Sequence, residues 1–156
     1  MRKGGGKKKG SAFERTVAKM IAKAFKPFGI HQRECWRSVL SGGHKISSGD
    51  LTFSPRLAKL FPYSIECKRY KTISWERFLI SKQYRKPSWQ EWKWIAQAKE
   101  GLEKNDELSK WLLVLKENHG PIYAIYDAGI GIRMVEFKDF LKRAFKKVKN
   151  NDYPID

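Results

Sequence analysis

An α/β fold is predicted by two observations: segments of helical periodicity alternate with short strand-like runs, and 156 residues with 41% hydrophobic content suffice for one domain with a real core. A third observation points to the centre of that fold. An acid, Asp50, opens one apolar run, and an acid-X-lysine triplet, Glu66-Cys67-Lys68, lies in the next. The expected organisation is a basic arm over 1–10, one domain over 11–149 and a short tail over 150–156.

The formal charge of +17 and pI near 10.0 imply a polyanionic partner, because basic side chains that neutralise phosphates release counterions. A basic protein with no such partner is the plain alternative. No apolar run approaches the ~20 residues of a membrane span. The charged, glycine-rich N-terminus has no apolar segment of the signal-peptide kind, so an intracellular location is expected. Cys35 and Cys67 lack metal-ligand spacing and are too few for a disulfide framework. They are expected to be buried free thiols. His31, His44 and His119 are scattered, so no zinc site is expected.

Met1 to Gly10 places Arg2, Lys3, Lys7, Lys8 and Lys9 among glycines and reads as an arm that is disordered until it meets phosphate. From Ser11 to Phe25, the residues Phe13, Val17, Met20, Ile21 and Ala24 share one helical face. Ser11 and Glu14 have capping-box spacing, and Lys26-Pro27-Phe28-Gly29 ends the helix. Gln32 to Val39 reads as a strand. Leu40 to Ser48 reads as a flexible turn whose glycines and serines, Ser48 among them, allow close approach to phosphate, with Lys45 adding charge.

Asp50 to Phe53 and Tyr63 to Lys68 read as a central pair of strands joined by a loop with Pro55, Arg56 and Pro62. Successive side chains of a strand point to opposite faces, so Glu66 and Lys68 share a face while Ile65 and Cys67 take the other. If the two runs pair as a hairpin, Asp50 stands beside Glu66. Two carboxylates and an ammonium then converge at a sheet edge. Mg²⁺ is commonly held by one or two carboxylates plus water and substrate phosphate, so this donor set suits metal-dependent phosphodiester hydrolysis.

From Arg69 to Lys86, cations (Arg69, Lys71, Arg77, Lys82, Arg85, Lys86) interleave with Tyr70, Trp75, Phe78 and Tyr84. Such a mixture suits contact with a nucleic-acid backbone and stacking on unpaired bases; an insertion over buried aromatics explains it equally well. Ser88 and Glu91 have capping-box spacing before a helix over Trp89 to Lys104, with Trp94, Ala98, Gly101 and Leu102 inward. Gln97 falls on that stripe, where an unpartnered amide would cost ~1–3 kcal/mol. Two strands, Trp111 to Lys116 and Ile122 to Tyr126, flank the turn Asn118-His119-Gly120-Pro121, and a third follows over Ile132 to Glu136. Gly129 and Gly131 do not make a dinucleotide loop, since Met134 fills the third glycine position and no helix follows directly. Phe137, Phe140, Leu141, Ala144, Phe145 and Val148 mark a final helix with a lysine-rich outer face, either solvated or turned to DNA.

Gly10-Ser11-Ala12-Phe13-Glu14, Trp36-Arg37-Ser38, Gly49-Asp50-Leu51 and Ile65-Glu66-Cys67-Lys68, in that order, resemble the PD-(D/E)xK nuclease superfamily. Within it the chain is similar to the archaeal-type Holliday junction resolvases, including those of phages. The resemblance spans roughly Lys9 to Asp127, and Gly49 departs from the proline commonly found before the acid. It implies a restriction-endonuclease-like core with a central mixed β-sheet flanked by helices, the first helix on one side and the Ser88 helix on the other. It implies a homodimer acting on four-way DNA junctions with Mg²⁺, or Mn²⁺ as substitute. Asp50, Glu66 and the Cys67 carbonyl would hold the metal. Glu14 would complete the acidic shell, Lys68 would act on the attacking water or the transition state, and Gln97 would stand beside the metal. Arg37 and Ser38 would lie near the scissile phosphate. From charge and composition rather than from the resemblance, Lys7, Lys8, Lys9, Lys45, Ser48, Arg69 and Lys71 are expected on the DNA backbone. A restriction or repair endonuclease, or a basic binding module in which Asp50, Glu66 and Lys68 form only a structural ion pair, remain the alternatives.

Overall fold

The computed structural model describes residues 5–38, 46–80 and 82–151. In chain order the elements are α1 (Gly5–Phe25), β1 (Cys35–Arg37), β2 (Ile46–Ser48), β3 (Leu51–Phe53), α2 (Pro55–Leu60), β4 (Tyr63–Tyr70), α3 (Glu76–Leu79), α4 (Gln90–Glu103), β5 (Lys110–Glu117), β6 (Ile122–Asp127), β7 (Ile132–Glu136) and α5 (Phe137–Asn150). A mixed four-stranded sheet, β4-β5-β6-β7, is parallel between its first two strands and antiparallel thereafter. A smaller antiparallel sheet, β1-β3-β2, stands beside it. No helix among the described residues is long and apolar enough to cross a membrane.

The larger sheet is covered on both faces, as β5 records: Trp111 to Leu115 are all buried. Such continuous apolar runs mark a strand with no solvated face. On one side Phe13, Val17 and Ile21 of α1 and Phe137, Phe140 and Leu141 of α5 share a core with Ile65, Cys67, Leu112, Val114 and Ala124. On the other, Trp94, Ile95 and Ala98 of α4 pack with Leu113, Leu115 and Ile125. The two helices expected on opposite sides are thus found there. Cys35 and Cys67 are buried free thiols.

Several expected details are replaced. The first helix begins at Gly5, so Lys7, Lys8 and Lys9 lie in its opening turns rather than in a disordered arm. Extending a formed helix fixes one residue per added hydrogen bond, a smaller cost than nucleation, and lysine is a fair helix former. Asp50–Phe53 and Tyr63–Lys68 do not form a hairpin. Ser54 caps α2 by accepting the Leu57 N–H at 3.1 Å, Pro55 fills its first turn, and the chain enters β4 running parallel to its approach, touching it at one bridge, Gly49 to Ile65. Part of the expected turn is strand β2; Lys45 and the rest of 39–45 lie outside the described residues, as do 1–4 and 152–156.

Candidate active site

The site is built on the open edge of β4. Gly49 sits at φ 73°, and a Cβ there would stand 2.2 Å from the Ile65 carbonyl oxygen. Only glycine permits both the left-handed turn and that approach. The next residue, Asp50, is then held by three backbone contacts. Its N–H donates to the Ile65 carbonyl at 2.8 Å, its carbonyl accepts the Ser38 N–H at 2.9 Å, and its Oδ2 accepts the Cys67 N–H at 2.7 Å. Beneath it the Ser38 and Thr52 hydroxyls lie 2.9 Å apart, with Thr52 buried. The carboxylate is therefore fixed before any ligand arrives.

Glu66 and Lys68 share the α4 face of β4, since their parallel partners Leu113 and Leu115 belong to the core under α4. Lys68 Nζ stands 2.6 Å from Glu66 Oε1, and both side chains are largely buried. Burial raises the Asp50 carboxyl to about 6, with the Glu66 charge adding to it; the Cys67 N–H opposes the shift, Glu14 reinforces it and Lys68 opposes it. For Lys68, burial pulls the ammonium down, but the hydrogen bond and charge of Glu66 and the charge of Asp50 outweigh it, and the group lies above its ordinary value. Asp50, Glu66 and Lys68 thus form one electrostatic unit, as expected, although through a parallel bridge rather than a hairpin.

Glu14 is not a cap. It lies inside α1, where its Oε2 accepts a hydrogen bond from Arg37 Nε, so strand β1 and helix α1 are joined beside Asp50. Ser38 acts on Asp50 through its backbone. Arg69 and Lys71 are exposed at the end of β4, with Arg69 Nε donating to Asn118 Oδ1 at 3.2 Å. Ser48 is the last residue of β2. Gln97 is exposed, against expectation, because the inward stripe of α4 runs through Glu91, Trp94, Ile95 and Ala98 and leaves position 97 outside it. Nor do Ser88 and Glu91 form a capping box: Glu91 is buried and pairs with Arg77 at 3.2 Å.

Two contributors were not singled out from sequence. Thr52 supports Ser38. Glu117 accepts the Ile73 N–H at 3.0 Å and the Trp75 Nε1–H at 3.4 Å, tying the segment after β4 to the end of β5. Tyr70, named from sequence among the aromatics between Arg69 and Lys86, continues the face of Glu66 and Lys68 at the end of β4.

Among the described residues, no three His, Cys, Asp or Glu side chains gather as a ready metal cluster. Asp50 and Glu66 nevertheless offer hard oxygen donors beside each other. In a parallel ladder alternate residues turn both backbone groups to one side, so the Cys67 carbonyl faces the same edge as its N–H. Two carboxylates and a carbonyl fit a hard divalent cation that completes its shell with water and phosphate.

The family model for phage putative PDDEXK endonuclease matches residues 5–151. The chain belongs to this family. Comparison with curated proteins gave no match, and comparison with solved structures gave none either. Membership in the PDDEXK family covers α1, the β4 edge, the four-stranded sheet and α5 together, and it agrees with the α/β architecture expected from sequence.

Proposed function

We propose that this PDDEXK family member is a metal-dependent endonuclease that hydrolyses DNA phosphodiesters and resolves four-way junctions by paired, symmetric nicks. The observation that carries the hydrolytic reading is the junction of Asp50, Glu66 and Lys68 at one strand edge, with Asp50 fixed by Ile65, Cys67 and Ser38. Asp50, Glu66 and the Cys67 carbonyl would hold Mg²⁺, with Mn²⁺ a substitute. Such a cation, when bound, supplies Lewis-acid polarisation of the phosphoryl oxygen and a lowered pKa for coordinated water.

The protein's own part is electrostatic and positional. Burial and the neighbouring Glu66 charge both oppose ionisation of Asp50, which creates the demand for a cation. Lys68, held by Glu66, brings an ammonium to where charge develops on the phosphate or to the water that attacks it. Glu14, fixed by Arg37, adds negative field from the other side. The basic surface of the chain, including Arg69 and Lys71 at the end of β4, would neutralise the DNA backbone.

Junction preference rests on the ordered resemblance of the four sequence elements to junction resolvases. Two symmetric nicks require two equivalent sites, which an isologous homodimer presents. The test is cleavage of a synthetic four-way junction beside matched linear duplex, with Mg²⁺ or EDTA, by wild type and Asp50→Asn. Paired, Mg²⁺-dependent nicks in the junction alone, absent in the variant, are expected. Cutting of both DNAs would make the protein a general endonuclease, and tight, salt-sensitive binding without cutting would make it a binding module.

A further inference from the structure

Glu66, Lys68 and Tyr70 are successive same-face residues of β4, each about 7 Å from the next along the strand. The first two are largely buried; Tyr70 is 43% exposed. Its ring lies 4.6 Å from that of Trp94, which is buried in α4, so one side of the phenol ring is supported by the core. Of the aromatics between Arg69 and Lys86, Tyr70 and Tyr84 are exposed, and Trp75 and Phe78 pack in the core under α4. Phe78 is buried, and Trp75 packs against that same core while its indole N–H is taken by Glu117. Those two are structural. Tyr70 is a large π surface with a rigid backing, an exposed side and a place directly beside Lys68, flanked by exposed Arg69 and Lys71.

We propose that Tyr70 is a stacking platform for a nucleobase unstacked next to the scissile phosphate, so that the site selects DNA with an unpaired or splayed nucleotide at the cleavage point over continuous duplex. This deepens the endonuclease reading and rests on it for the word scissile. A base in intact duplex has both faces occupied by its neighbours and cannot use the ring. A base at a strand exchange point, fork or flap already has a free face, and stacking it on an aromatic side chain is sequence-tolerant because every base has one. The neighbouring cations would hold the flanking phosphates without reading sequence.

The experiment uses the full chain with EDTA and two DNAs of equal length, a continuous duplex and a splayed fork, each with 2-aminopurine at the fork position. Wild type and Tyr70→Phe are expected to quench the fork probe and to bind the fork more tightly than duplex. Tyr70→Leu keeps an apolar cover over Trp94 but has no π face; it is expected to lose the quench and about 5- to 100-fold of fork affinity, with duplex affinity unchanged. Equal losses on both DNAs, or an unchanged quench in a folded Tyr70→Leu, would overturn the platform. Parallel Mg²⁺ assays separate the two ideas: a Tyr70-dependent quench without cutting would sink the endonuclease reading and leave a base-binding surface, whereas cutting with no Tyr70-dependent quench would do the reverse.

Discussion

The Asp50 carboxylate accepts the Cys67 backbone N–H at 2.7 Å while its own N–H donates to Ile65, so one residue closes the free edge of β4 on both sides of Glu66. This places an acid in a buried setting beside a second acid, and the cost is expressed in pH. Asp50 titrates at about 6 in the folded chain against 3.8 ordinarily. Because the folded value is the higher one, the contribution of this carboxyl to stability is complete below about pH 4 and is lost as the pH rises through about 6. Asp50→Asn keeps an acceptor for the Cys67 N–H and removes the charge. In EDTA at pH 7.5 it is expected to gain on the order of 2 kcal/mol, roughly 4–8 °C in Tm, with the gain vanishing near pH 4. Thermal melts at the two pH values check this, and an equal difference at both would contradict it.

The same charge should make stability respond to metal. Millimolar Mg²⁺ is expected to raise the Tm of wild type and leave Asp50→Asn unmoved, because only a ligand bound to the native state stabilises by mass action. A matching rise in both proteins would place the cation elsewhere.

Gly49 offers a sharper test of how Asp50 is delivered. The Cβ of Gly49→Ala would press on the Ile65 backbone, which cannot move aside as a flexible side chain can, and position 49 also needs positive φ. Gly49→Pro is worse, for proline holds φ near −65°. Both are expected to lose the Gly49–Ile65 bridge, cost about 1–3 kcal/mol and reduce cleavage by more than tenfold, measured by urea unfolding and the junction assay. A fully active Gly49→Pro would mean that the edge geometry is not needed.

Why some of this was legible and some not follows from range. Strand alternation alone places Glu66 and Lys68 on one face. The two serine-glutamate spacings, Ser11 to Glu14 and Ser88 to Glu91, are equally good local signals, yet neither makes a capping box. Each glutamate has an arginine partner from outside its helix, Arg37 for Glu14 and Arg77 for Glu91, that no short window contains. The missed helix α2 is a different failure. Ser54 followed by Pro55 is a local start signal, but its apolar stretch is too short for periodicity to register. Gln97 shows the limit of spacing itself: three residues from Trp94 fits an inward stripe, until Ile95 and Ala98 set the stripe on the other flank.

The Arg37–Glu14 contact is expected to be a positioning device for the acidic shell as well as a tie between α1 and β1. Glu14→Gln should fold with at most about 1 kcal/mol lost, since the amide oxygen still accepts from Arg37. Arg37→Ala removes the donor and leaves Glu14 beside Asp50 with its charge uncompensated. Glu14→Ala, Arg37→Ala and the double variant, measured for stability and for cleavage, form a cycle with an expected coupling of roughly 0.5–3 kcal/mol. Additive effects would reduce the contact to a surface ion pair.

The buried Glu91 makes the last prediction the most one-sided. Glu91 is 4% exposed and its carboxylate pairs with Arg77, whose guanidinium also lies 5.0 Å over the Trp89 ring, so one arginine pins α3 to the start of α4. Removing one partner of a buried pair leaves the other charge without compensation, whereas replacing both can be close to neutral. Arg77→Ala is therefore expected to cost about 2–4 kcal/mol, less than a fully buried pair would because Arg77 is partly exposed, and to speed amide hydrogen exchange between Lys71 and Trp89. Arg77→Leu combined with Glu91→Leu should recover most of the loss, and a double variant as unstable as Arg77→Ala would show that the pair is not the reason α3 and α4 stay together.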